Sequence, residues 1–76
     1  MNNKRREALQ GVYNALDMAE DRLSVILDEE QNCLDNMPEN LEYSDRYEKM
    51  ENAIENIESA IEKISDAKNY IEEAQA

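Results

Sequence analysis

The sequence predicts an all-α fold: two long amphipathic helices turned back on each other as an antiparallel, coiled-coil-like hairpin, dimerising into a four-helix bundle. Three observations predict it. Apolar residues recur at alternating steps of three and four through both halves, the signature of a helical seam. A single proline stands between the halves. The 76 residues hold one Gly, one Pro, no Phe and no Trp, a composition suited to long helices and unsuited to sheets with frequent turns. The whole chain, 1–76, reads as one domain with a helix over 3–35, a turn over 36–44 and a helix over 45–75.

In the first helix Leu9, Val12, Leu16, Ala19, Leu23, Ile26, Glu30, Cys33 and Met37 follow the seam spacing, with Glu30 the one charged member. In the second, Tyr43, Tyr47, Met50, Ile54, Ile57, Ile61, Ile64, Lys68 and Ile71 do the same, with Lys68 the one charged member. Between them, Asn36-Met37-Pro38-Glu39-Asn40-Leu41 ends a helix, because proline cannot continue one and disfavours α geometry in the residue before it. Ser44 or Asp45 caps the next, and Asp45 with Glu48 resembles a capping box. Folding the chain about residue 40 sets Leu9 against Ile71, Val12 against Lys68, Leu16 against Ile64, Ala19 against Ile61 and Leu23 against Ile57. Toward the tip it sets Ile26 against Ile54, Glu30 against Met50, Cys33 against Tyr47 and Met37 against Tyr43. The same fold carries Lys4, Arg5 and Arg6 toward Glu72 and Glu73.

Flanking positions point to self-association. Ala53, Ala60, Ala67 and Ala74 recur every seventh residue, and Ala8 and Ala15 answer them on the first helix, so another helix can approach closely. On the other edge Tyr13, Leu27 and Leu34 widen the apolar stripe beyond what one partner helix covers. A homodimer buries both edges, and a chain this short needs some supplement to its core. Disulfides cannot supply it, since Cys33 is the sole cysteine, and His is absent.

Catalysis is not expected. Without His, neither the serines nor Cys33 has an evident activating base, and Cys33 reads as a small buried residue of the seam. The lone Gly11 lies on the outward side of its helix and forms no phosphate loop. Asp28, Glu29, Glu30 and Asp35 lack the spacing and turn glycine of an EF-hand. Asp17 with Glu20 and Glu42 with Asp45 only imitate the magnesium pairs of all-α nucleotide pyrophosphatases. No cofactor, metal or catalytic residue is assigned. Glu30 and Lys68 read as groups that reach solvent from the seam and help set its register; receiving a partner is the alternative.

The net charge of −11 excludes nucleic acid or anionic lipid as a direct ligand, because both need clustered Lys and Arg. No apolar run approaches the ~20 residues of a membrane span, and the basic start, Met1 to Arg6, is followed by no apolar leader segment; a cytoplasmic protein is expected. The natural complement is a basic protein surface. Glu48, Glu51, Glu55, Glu58 and Glu62 form a ladder on the second helix; Asp21, Asp28 and Asp35 form one on the first. Carboxylates at such spacings lie ~5–6 Å apart at Cβ, comparable with the roughly 7 Å between phosphates along a nucleic-acid strand. From Asp28 through Glu48 eight acidic residues stand against one basic, Arg46. Asp28, Asp35, Glu39, Glu42, Tyr43, Tyr47, Glu48, Glu51, Glu55, Glu58 and Glu62 are the candidate partner-binding residues, the tyrosines as aromatic anchors beside a charged rim. Ala8, Ala15, Leu27, Leu34, Ala53, Ala60 and Ala67 are the candidates for self-association. An acidic face kept for solubility alone would account for the same carboxylates.

The run Asp28-Glu29-Glu30-Gln31, then Asp35 to Leu41, then Ser44-Asp45-Arg46-Tyr47-Glu48-Lys49-Met50-Glu51 resembles small acidic helical-hairpin proteins encoded by phages and mobile elements of low-GC Gram-positive bacteria. With the heptads that follow, the resemblance covers roughly residues 4 to 75. It implies a phage or prophage origin in a bacterial host cell and a role in obstructing or redirecting a host protein; taken with the carboxylate ladders and the acidic tip, the expected target is a nucleic-acid-binding or defence protein. It carries no chemistry onto individual residues. A structural or scaffolding assembly element is the alternative function.

Overall fold

Two helices, α1 (Asn3–Asp35) and α2 (Asp45–Gln75), pack side by side in the computed structural model, which describes residues 1–41 and 44–76. Glu42 and Tyr43, expected at the tip, lie outside the described residues, as does the layer pairing Met37 with Tyr43. The molecule measures 59 × 15 × 13 Å, where one continuous helix of this chain would reach about 110 Å.

Local chemistry explains where each helix starts and stops. Asn2 caps α1, its Oδ1 accepting from the Arg5 N–H at 2.8 Å. At the other end the Asn36 backbone N–H and its Nδ2 both donate to the Asn32 carbonyl, at 3.1 and 2.8 Å, satisfying an acceptor that has no intrahelical partner. Pro38 then prevents continuation, and the chain makes one 3-10 turn at Glu39–Leu41. Ser44 is the cap of α2, its Oγ accepting from the Tyr47 N–H at 3.2 Å and donating to the Leu41 carbonyl at 2.7 Å. Of the two expected caps it is therefore Ser44 that acts, and Asp45 and Glu48 fall in the first turn of α2, where negative charge complements the helix dipole.

The turn holds the expected register. Arg6 Nε donates to the Gln75 carbonyl at 3.1 Å, and the Lys68 ammonium lies 5.2 Å from the centre of the Tyr13 ring; both pairs agree with a fold about residue 40 to within one residue. By the same count Leu23 stands level with Ile57 and Leu27 with Ile54. At the open end it is the backbone of Gln75, not Glu72 or Glu73, that Arg6 meets.

The seam of α1 differs from the expected one. Its half-buried positions, Ala19, Ser24 and Gln31 apart, run Arg6, Leu9, Tyr13, Leu16, Glu20, Leu23, Leu27, Glu30 and Leu34, and Met37 continues the line beyond its end. Val12 is 50 % and Ile26 48 % exposed, and Cys33 is exposed too; Ala19 is partly covered. Two overlapping stripes share Leu9, Leu16, Leu23, Glu30 and Met37. The helix turns toward the stripe that sets Tyr13, Glu20, Leu27 and Leu34 where the other sets Val12, Ala19, Ile26 and Cys33; Leu27 and Ile26 balance, and Tyr13 and Leu34 remove more apolar area from water than Val12 and Cys33 could. Leu27 and Leu34, expected on a second edge free for self-association, thus fill the hairpin's own seam, and Cys33 is not the buried residue expected. On α2 the seam is the expected one, and Ile54, 7 % exposed, is the one buried residue among those described.

Candidate functional site

The seam of α1 holds two acids, Glu20 and Glu30, and the one this side of the helix adds, Glu20, is matched. Lys68 reaches across from α2 to Asp17 at 2.6 Å and Glu20 at 3.3 Å, with its side chain only 14 % exposed. These are the ion pairs among the described residues. The Asp17 hydrogen bond, opposed by partial desolvation and joined by Glu20, holds the ammonium above the ordinary lysine range. Beside it the Tyr13 hydroxyl is pushed up, first by hydrogen bonding toward Glu72, then by desolvation and the Glu72 charge. Lys68 is therefore a cross-helix clamp and not a group reaching for solvent, and it occupies the Asp17–Glu20 pair that imitated a magnesium site. Glu30 is half-buried, without an ion pair among the described residues. Among those residues no three metal-ligating side chains converge, and no helix is long and apolar enough to cross a membrane.

Turning α1 by one position also sorts the surface. In an antiparallel pair, the positions that follow the seam residues on both helices share one broad face, and those that precede them share the other. Asp17 of α1 and Glu72 of α2, each one position after a seam residue, both act on Tyr13, as this geometry requires. On that face lie Asp21, Asp28 and Asp35 of α1 and Glu48, Glu51, Glu55, Glu58 and Glu62 of α2, every one exposed. Gln10, Asn14, Ser24, Gln31, Ser65 and Asn69 fill the spaces between, and no basic residue occurs there among the described positions. The two carboxylate ladders thus form one continuous acidic face. Glu39 is exposed on the 3-10 turn, while Tyr47 is half-buried in the seam beside it. Glu42 and Tyr43 lie outside the described residues.

The opposite broad face has different chemistry. Ala8, Val12, Ala15, Ala19, Ile26 and Cys33 of α1 share it with Ala53, Ala60 and Ala67 of α2, with Arg5, Arg22, Arg46, Lys49 and Lys63 among them and Glu29 the one acid among the described residues. Ala8 and Ala15 are exposed; Ala53, Ala60 and Ala67 are partly covered. A shallow recess of about 410 Å³ opens at its tip end between Cys33, Met37, Leu41, Arg46 and Met50. Another of about 280 Å³ opens at its far end around Met1, Arg5, Ala8, Leu9 and Val12. The heptad spacing signals both faces, but the sequence does not show that the ladders share a side until the seam of α1 is known.

Fold and surface together define an acidic two-helix hairpin with one carboxylate face and one apolar, weakly basic face. Compared with protein-family models, curated proteins and solved structures, the chain matches none.

Proposed function

We propose that this chain is an acidic protein-binding module, a phage-encoded inhibitor or modulator that occupies a basic surface on a host nucleic-acid-binding or defence protein. The observation that carries the proposal is the merging of both carboxylate ladders on one face with no basic residue among the described positions. Such a face builds a potential that speeds encounter with a cationic surface and weakens with salt, and its carboxylate spacing is comparable with that of phosphates. The resemblance of the tip to phage-encoded hairpins supports the choice of host target. The chain acts in the host cytoplasm as a homodimer, and the role requires no cofactor and no catalytic group.

The test is capture of basic host proteins at low salt by the wild-type chain and by a Glu51→Lys, Glu55→Lys, Glu58→Lys variant. All three residues are exposed and off the seam, so the variant folds. Salt-sensitive retention by the wild type, competed by duplex DNA and lost in the variant, is the expected result; equal retention by both refutes it. A scaffolding role has one observation in its favour, the apolar face, and there Ala60→Glu should be the damaging change while charge reversal on the acidic face leaves function intact.

A further inference from the structure

We infer that the apolar face is the contact surface for a second copy of this chain, related by a two-fold axis parallel to the helices, so that α1 of each copy lies over α2 of the other. This is independent of what the acidic face binds. A folded chain of 8.8 kDa exposes about 4,800 Å² on the usual mass scaling, whereas this hairpin exposes 5906 Å². The excess of roughly 1,100 Å² is more than the ~800 Å² each partner contributes to a standard interface.

Charge decides which face meets its copy. Two carboxylate faces brought together would oppose the eight ladder carboxylates of each copy with no cation between them among the described residues, whereas the other face carries fewer charges, five cations and Glu29, beside exposed Val12 and Ile26 and a recess at each end. Charge also decides the orientation. A two-fold axis along the hairpin keeps every residue at its own height. Counting from Tyr13 beside Lys68, Val12 of one copy lies within about 3 Å of the height of Ala67 of the other, and Ile26 of Ala53. Each larger side chain meets an alanine. At the rim Glu29, the one acid of this face among the described residues, comes within side-chain reach of Lys49. The alternative axis, across the hairpin, lays α1 over α1 and α2 over α2, so that Glu29 and Lys49, which stand on different helices, no longer face each other across the contact.

Sedimentation equilibrium of the full chain tests this. The wild type is expected as a dimer, and Ala60→Glu as a monomer of unchanged helicity. Glu29→Lys and Lys49→Glu, both exposed and off the seam, should each weaken the dimer about tenfold, and their combination should restore it to within about threefold. A wild type that stays monomeric at about 1 mM overturns the interface, even if Ala60→Glu proves unfolded. A dimer that the combined exchange fails to restore overturns the arrangement.

Discussion

Replacing Ile54 by alanine should be among the most damaging single truncations in this molecule. Its side chain is 7 % exposed, and the half-buried Ala53, Ile57 and Ile61 surround it on α2. Truncating a buried isoleucine to alanine costs about 2–5 kcal/mol, the transfer of the lost methyl groups plus the cavity they leave. The lower part of that range applies here, about 2–3 kcal/mol, because half-exposed neighbours can relax into the gap. For a domain of this size that loss lowers Tm by roughly 10–20 °C. The assay is thermal unfolding followed by helical circular dichroism, with Val25→Ala as the control, since Val25 is 58 % exposed and alanine is the better helix former. Protein concentration is held constant, because self-association raises Tm by mass action. The control should melt at or slightly above the wild-type temperature. If Val25→Ala falls as far as Ile54→Ala, or Ile54→Ala falls by less than about 5 °C, the seam described above is wrong.

Gly11→Ala should stabilise the chain by about 1 kcal/mol, since a β-carbon built there meets nothing within 4 Å; a Tm unchanged or lowered would show that this side of α1 is in fact covered. The clamp at Lys68 predicts a pH dependence. Its folded pKa is raised, so its stabilisation is fully present below the unfolded lysine value near ~10.4 and is lost as pH rises through the folded one. Tyr13, also raised, acts in the same direction, because above ~10 the unfolded chain releases that proton more readily than the folded one. Stability measured by denaturant unfolding should fall above about pH 10, and less steeply in Lys68→Met; equal slopes in the two proteins would remove the clamp.

The hairpin was legible because a heptad rhythm and a single proline leave little else for the chain to do. Which side of α1 faces α2 was not, since Leu9, Leu16 and Leu23 belong to both candidate stripes and periodicity alone weighs Val12 and Tyr13 alike. The deciding quantities are side-chain size and the match of Glu20 with Lys68. A signal for that match was present: a lysine in an apolar seam needs a carboxylate on the other helix within its side chain's reach, and Asp17 and Glu20 stand about one and two turns toward the tip, the direction in which the Lys68 side chain leans. Cys33 and the two leucines Leu27 and Leu34 were misplaced for the same reason, each exactly one position of rotation from its expected environment. The shared side of the two ladders could follow only once that rotation was known, because it depends on which positions flank the seam.

A hairpin only 15 × 13 Å across, with anions gathered on one side and cations on the other, carries an electric dipole perpendicular to its length. In the field of a charged surface such a body is turned about its long axis before any contact forms. A cationic target therefore meets the chain carboxylate side first, and the search over roll angles that a uniformly charged rod would need is largely completed in solution.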